Sequence, residues 1–300
     1  MGTRCAGLFV GLSTVDIIYG VDSFPIEDTK TTATGYCIAA GGPASNAAVA
    51  FAYLGGDARL VSALGTGVVA ELARRDLSAC GVAHLEIDEK RRGDPALSAI
   101  VVSTAVGSRT ILNSPAIDDD SDAMAANARV EHALGGANIV LVDGHQPSVA
   151  EQTARLAKSR GVPVVMDGDL YNPKVERLLA FVDIVIFGKS FRIPNQHTSD
   201  EAAGYFRDLG VQHVIATHGA NAIEYLSPAG TVTTPVPLVP VIDTLAAGDF
   251  FHGAFCYFYL RHGDVARALH AASQVAAASV SSFGTREWMR RQAAASFDGL

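Results

Sequence analysis

Hydrophobic residues fall along this chain in short, nearly unbroken runs, separated by stretches where they recur every three or four positions. The runs predict buried strands and the spaced stretches predict amphipathic helices. Residues 6–11 form the first run and end on glycine, the look of a buried strand. Over residues 17–38 polar and β-branched positions alternate, residues 29–34 included, and this predicts an exposed sheet. Small residues at 41–45 then lead into a helix whose Ala47, Phe51 and Leu54 share one face. Residues 57–87 read as strand, helix and strand, with the helix over 71–79 and Gly81 as its stop. Residues 97–102 and 109–112 flank Gly107-Ser108 and predict a hairpin.

From about residue 115 strand and helix alternate at short intervals. Strands are predicted at 138–142, 162–166, 183–187 and 213–217. Ser148-Val149-Ala150-Glu151 has the spacing of a capping box opening a helix that runs to Lys158, and Pro173 suits a first helical position after Asn172. A hairpin and a Pro-rich connector occupy 222–239, and Val265, Leu269, Ala272, Ala276 and Val280 mark a last helix. Repeated β-α units with apolar strands imply a parallel sheet covered on both faces, with ligands gathering at the carboxyl ends of its strands. Asp143, Asp167, Asp169, Lys189 and Thr217 fall at such ends. No internal repeat or interdomain linker breaks the chain, so residues 1–300 are expected to form a single domain.

Composition narrows the class. Of the 300 residues 49% are hydrophobic, ample for a buried core. A formal net charge of −8 and the lack of any Lys/Arg run argue against a nucleic-acid partner. No apolar run reaches membrane-spanning length, and the N-terminus lacks a basic region followed by an apolar core, so no membrane association is expected. Cys5, Cys37, Cys80 and Cys256 are scattered without a metal or redox spacing, which points to a reduced, cytoplasmic setting. His145, His197 and His218 also lack metal-ligand spacing and read as structural or surface residues.

The chemistry concentrates in residues 243–251, where Asp243-Thr244-Leu245-Ala246-Ala247-Gly248-Asp249 runs from a loop of small residues into an apolar helix. The amides of Ala246, Ala247 and Gly248 would face an anion at the helix entrance, and small side chains let it approach. Asp249, in the first turn, is a candidate base for a hydroxyl attacking a phosphate. Ordinary dipole compensation is the other reading of that aspartate, and spacing alone leaves both open. Asp16, just past the first strand, is either a ligand-binding acid or a turn aspartate. Gly41, Gly42 and Asn46 form either a sugar-binding turn or a plain Gly-rich one. Arg109 could hold charge on a transferring phosphate or serve as a solvated cross-strand partner. Asp167 and Asp169 could hold Mg²⁺ through water or cap helices. Residues 7–11 are not followed by a G-x-x-G opening a helix, so a nicotinamide-dependent oxidoreductase finds no fingerprint here.

The stretch from Asp243 resembles the second signature of the PfkB, or ribokinase-like, carbohydrate kinases, D-T-x-G-A-G-D-x-F, and Gly253-Ala254-Phe255 continues the match. Gly41-Gly42-Pro43-Ala44-Ser45-Asn46 resembles the family's G-G-x-x-x-N element. The resemblance covers essentially the full length, with its elements in family order. It departs at Ala246, where glycine is usual, at Pro43, where many members have Asn, and at Gly188-Lys189-Ser190-Phe191, which lacks the glutamate of an N-x-x-E element. An alanine at 246 resists positive φ, so that loop has φ below zero there or is strained. Thr217-His218-Gly219 matches a T-x-G nucleotide loop whose later glycine is Ala222 here.

The resemblance implies a three-layer α/β/α sandwich with a mainly parallel central sheet and a β-sheet lid built from about 17–40 and 95–114. It implies an ATP-dependent sugar kinase with Asp249 as base and the 246–248 amides as anion hole, helped by Arg109. Asp16, Gly41, Gly42, Asn46, Lys30 and Asn113 would bind sugar. Asp167, Lys189, Thr217 and Gly219 would serve ATP, with Ser273 and Gly284 near adenine. Mg²⁺ would sit by Asp169 through water, and a monovalent cation such as K⁺ near Asp243. Residues 243–245 and 95–115 look nearest to ketohexokinases and to bacterial kinases of 6-deoxy-6-sulfofructose, so a ketose or ketose derivative is the expected substrate, with ribose or a nucleoside as alternative. The sulfonate version needs cations; Lys30 could supply one, but Gly144-His145 stands where those kinases would supply Arg. A sugar or nucleotide sensor without catalysis is the reading from another class. The lid implies a homodimer.

Overall fold

The computed structural model describes residues 5–300 apart from 89–90, 115–122, 169–170, 172, 195, 197 and 228, with backbone alone at 123–127 and 174. In chain order the elements are β1 (Ala6–Val10), β2 (Thr14–Val21), β3 (Gly35–Gly41), α1 (Pro43–Tyr53), β4 (Asp57–Ser62), α2 (Val68–Ala79), β5 (Val82–Glu86), β6 (Ala96–Ser103) and β7 (Ser108–Asn113). The second half adds α3 (Ala123–Leu134), β8 (Ile139–Val142), α4 (Pro147–Ser159), β9 (Val164–Gly168), α5 (Glu176–Leu179), β10 (Ile184–Phe187), α6 (Ser199–Asp208), β11 (His213–Ala216), β12 (Ile223–Ser227), β13 (Gly230–Thr234), α7 (Ala247–His262), α8 (Val265–Ser279) and α9 (Glu287–Arg291).

The larger sheet has the order β13-β12-β11-β10-β9-β8-β1-β4-β5 and is parallel except for the β11-β12-β13 edge. Because side chains alternate across a strand, each apolar run feeds two cores. Phe9, Ile139, Leu141, Val165 and Ile186 pack with α1, α7 and α8 on one face. Leu8, Val10, Val140, Val142 and Met166 pack with α4 and α6 on the other. The result is the expected three-layer α/β/α arrangement. From β1 the chain builds outward to β4 and β5, then returns to β8 on the opposite flank, so the strand order reverses between β1 and β8. Open α/β sheets bind ligands at that reversal, because loops leaving the two strands diverge there and open a crevice.

A second sheet, β3-β2-β6-β7, is built from the two segments expected to form it. One face carries Asp16, Ile18, Ser98 and Ile100 toward the body, all buried. The other carries Tyr19, Tyr36, Ile38, Leu97 and Leu112 outward.

Two local expectations are corrected. Residues 22–34 lie outside any strand. Pro25 cannot donate to a ladder, Asp28 takes a left-handed conformation with φ 57°, and Thr29 Oγ1 turns back to the Ile26 carbonyl at 2.6 Å. Ser148 is not the cap of α4, either: the helix begins at Pro147, whose fixed φ suits a first position, after Gln146 in a left-handed conformation. Among the described residues a capping box forms at Thr198 with Glu201, at the start of α6. No described helix is long and apolar enough to cross a membrane.

Candidate active site

The β1–β8 crevice opens into a cavity of about 590 Å³, with the smaller sheet as one wall and the start of α7 as another. Asp143, at the end of β8, organises its floor. Its Oδ2 accepts the amides of Leu12 at 2.8 Å and Ala44 at 3.1 Å, and its Oδ1 accepts that of His145 at 2.9 Å. Ala44 lies in the first turn of α1, so this carboxylate caps a helix from another part of the chain, where the dipole favours negative charge. Gly11 leaves the space; a Cβ there would overlap the carboxylate.

Helices α1 and α7 run in close contact because Gly253 has no side chain: a Cβ would overlap the carbonyl of Ala47. Their first turns therefore meet, and Asn46 Nδ2 donates to Asp249 Oδ2 at 2.9 Å. Asp249 stands in the first turn of α7, whose leading amides have no acceptor within the helix and can face an anion. The loop before it is held by Asp243, whose Oδ1 accepts from Leu245 and Oδ2 from Gly284, each at 2.9 Å. Ala246 sits at φ 60°, ψ 10°, the left-handed region. Of the two conformations open to an alanine here, the chain adopts the strained one.

Asp16 projects from β2 beside Ser98 of β6, which pairs in turn with Asn113 of β7, so three polar side chains line up across the sheet. Thr14 Oγ1 donates to Asp16 Oδ1 at 2.7 Å. Burial pushes the Asp16 carboxyl above its usual range, against the Thr14 and Ser98 hydrogen bonds and the Arg286 charge. Arg109 Nη1 donates to Thr244 Oγ1 at 2.7 Å, and Thr244 Oγ1 donates to the Gly107 carbonyl at 3.1 Å, so the β6–β7 hairpin is pinned to the loop before α7. Across the cavity His252 Nδ1 lies 2.9 Å from Asp167 Oδ2, both side chains buried.

The structure thus brings Asp16, Gly42, Asn46, Arg109, Asn113, Asp167, Thr217, Ala246, Ala247, Gly248 and Asp249 to one cavity. Others stand apart. Gly41 lies beneath Asp16, where a Cβ would overlap the carboxylate, so it makes room and does not line the wall. Lys30 is exposed on the 22–34 excursion, and Lys189 is exposed between the lining residues Gly188 and Ser190. Gly219, at φ 66°, is outside the wall. Ser273 is buried in α8 with its hydroxyl donating to the His270 carbonyl at 2.7 Å. Gly284 serves Asp243, and Asp243 itself lies behind the wall. Asp169 and His197 fall outside the described residues.

Sequence reasoning missed four residues. His145, read as structural or surface, lines the cavity, because the turn after β8 carries it over the crevice. His252 follows Asp249 by three positions, close to one helical turn, and that spacing was a usable signal. Ser98 needed the strand register, and Arg286 offered no local signal at all.

A helix start able to hold an anion, with a carboxylate in the same turn able to take a proton, suits phosphoryl transfer to a hydroxyl. Comparison with known proteins gives that chemistry a family. The model of the pfkB family carbohydrate kinases matches residues 8–291. The chain belongs to this family and is an ATP-dependent carbohydrate kinase. It is 29% identical over 284 residues to an ATP-dependent ribose-1-phosphate kinase of Halopiger xanaduensis, covering 94% of each chain. To the ketohexokinase of Mus musculus it is 24% identical, covering 90% of this chain and 94% of the other. The structure of Arabidopsis thaliana ribokinase complexed with ribose and ATP superposes with a TM-score of 0.78 at 21% identity, covering 99% of both chains.

The strain at residue 246 is directly testable. Glycine tolerates positive φ, so Ala246→Gly is expected to raise stability by about 0.5–1 kcal/mol, the left-handed penalty less glycine's greater unfolded-chain entropy. Urea denaturation of the two proteins reads it, and an unchanged or lower midpoint would show that the loop carries no such strain.

Proposed function

We propose that this kinase transfers the γ-phosphate of ATP to a primary hydroxyl of a small sugar, a ketose or ketose derivative. The observation that carries the reading is the Asn46–Asp249 hydrogen bond at the start of α7, which fixes a carboxylate in the first turn of a helix whose dipole favours an anion there. Asp249 accepts the hydroxyl proton as the oxygen bonds to the γ-phosphorus, and the bond to the bridging oxygen breaks to release ADP. Charge gathering on the transferred group is met by the Ala246, Ala247 and Gly248 amides and by Arg109 turned from Thr244. Asp16, Gly42, Asn46, Ser98 and Asn113 hold the sugar hydroxyls, and Thr217, with Asp167, serves the nucleotide.

Asp167 fits the Mg²⁺ of a nucleotide, since that ion takes one or two carboxylates and completes its shell with phosphate and water. When bound it neutralises phosphate charge. A monovalent cation near Asp243 would act by stiffening the loop that this carboxylate already ties to Leu245 and Gly284. We read residues 1–300 as one domain with the smaller sheet as its lid, pinned through Arg109 and Gly107 and keeping water from the phosphate. The free thiols of Cys37, Cys80 and Cys256 support a cytoplasmic setting. Relatives named ketohexokinase and ribokinase support a ketose and a ribose acceptor respectively, so ribose or a nucleoside is the second substrate reading. The outward apolar face of the lid supports a homodimer.

ADP release with MgATP and K⁺ should be measured against fructose, 6-deoxy-6-sulfofructose, ribose, other ketoses and adenosine. Turnover on a ketose, reduced at least 10²-fold in Asp249→Asn, is expected. Turnover on ribose or adenosine alone would replace the ketose assignment. A protonated Asp16 accepts hydroxyl donors poorly, and its raised pKa means protonation begins above the ordinary carboxylate range. The sugar KM should therefore climb as pH falls toward that range, and Asp16→Asn should bind weakly without that slope. Finally, Tyr36→Glu with Leu112→Glu should convert a dimer to monomer in light scattering; a wild-type protein already monomeric at assay concentration removes the dimer.

A further inference from the structure

Arg286, just before α9, enters no step above, yet its side chain is only 12% exposed and converges on the site. Its Nη1 donates to Asn46 Oδ1 at 3.2 Å. Its Nε and Nη2 donate to Asp76 Oδ2 on α2 at 3.2 and 2.9 Å, and Nη2 also donates to the Ala40 carbonyl at 2.8 Å. The same Asp76 oxygen accepts the Ala40 amide at 2.9 Å. Both backbone groups of Ala40 are thus gripped by one ion pair, at the point where β3 delivers the chain to α1.

The chemistry of Asn46 makes this arrangement directional. An amide side chain has one end that accepts and one that donates, and turning it over exchanges them. A guanidinium can only donate, and an ionised carboxylate can only accept. With Arg286 on one side and Asp249 on the other, a single orientation satisfies both: Oδ1 toward Arg286 and Nδ2 toward Asp249.

We propose that Arg286 is a positioning residue of this kinase, locking the Asn46 amide with its NH₂ group on Asp249 and tying that lock, through Ala40 and Asp76, to the root of the lid. The proposal rests on the reading of Asp249 as the base. Remove the guanidinium and the amide is held from the Asp249 side alone, so its NH₂ group is fixed less firmly on the carboxylate, which keeps a weaker donor and holds its proton more tightly.

The test compares Arg286→Met and Arg286→Lys with wild type across pH, measuring kcat, KM for ATP and thermal midpoint. The other charged groups of the cavity, Asp16, Arg109, Asp167, His145 and His252, are the same in all three proteins. In Arg286→Met kcat should fall on the order of 10–100-fold with little change in KM for ATP, and the acid limb of kcat/KM should move to higher pH. A lysine cannot span Asp76, Ala40 and Asn46 at once, so Arg286→Lys should lose stability as well. It can still only donate, so its acid limb should return toward wild type, which a purely structural role would not produce. Should Arg286→Met fail to fold with Asp76 stranded, Asp76→Leu combined with Arg286→Met removes both charges together and is read the same way. A folded variant with wild-type kcat and an unmoved limb overturns the proposal. Asp249→Asn separates the two levels: turnover surviving there sinks the base itself, whereas an inactive Asp249→Asn beside an unaffected Arg286→Met sinks only the positioning role.

Discussion

The site depends on how closely α1 and α7 approach. Gly253 leaves no room for a Cβ against the Ala47 carbonyl, and this contact brings the first turns of two helices together at one end of the cavity. Each turn is then fixed by a separate device. The start of α1 is held by Asp143, reaching over from β8 to the amide of Ala44. The start of α7 is held by Asp243, which draws Leu245 and Gly284 onto its two oxygens and forces the left-handed turn at Ala246. Asn46 and Asp249 meet because both helix starts are anchored to the frame, and a shift of either would open their 2.9 Å hydrogen bond.

Of the aspartates that converge here, two pairs are divided in role by their partners. Asp143 and Asp243 accept backbone amides on both oxygens, which makes them part of the fold's own hydrogen bonding. Asp16 and Asp249 accept from side chains and face the cavity, where a ligand can compete for them. Residue type and spacing do not separate the two pairs. The separation comes from whether the carboxylate lies behind a turn, as Asp243 does, or on an open helix or strand face, as Asp249 and Asp16 do.

The sequence made the central sheet legible because a buried parallel strand leaves a run of apolar residues wherever it occurs, and the family motifs pointed to Asp16, Asn46 and Asp249, which line one cavity. Reading failed where identity depends on a partner far along the chain. Residues 29–34 alternate like a strand, but Pro25 and the turn at Asp28 keep them from pairing. Ser148 has the right neighbour for a capping box, but Pro147 begins the helix first. Ser273 turns its hydroxyl to the His270 carbonyl and the Gly284 amide serves Asp243, contacts that no local pattern marks. Arg286 is the opposite case, unmarked by any motif and in contact with α2, β3 and α1 at once.

The polarity of the cavity follows from these placements. One end presents Asp16, Ser98 and Asn113 on the smaller sheet, acceptors and amide groups suited to hydroxyls, with a carboxylate whose burial makes it cling to its proton. The other presents the positive end of α7 and the guanidinium of Arg109, suited to phosphate. Asp249 stands between them, in the first turn of α7 and bonded to Asn46 of α1. An anion set against Asp16 would meet a carboxylate, whereas at the start of α7 it would meet the positive end of a helix dipole. The two ends thus differ in the groups they can pair with, and Asp249, at the α7 end, stands where a hydroxyl would meet a phosphate held by the helix start.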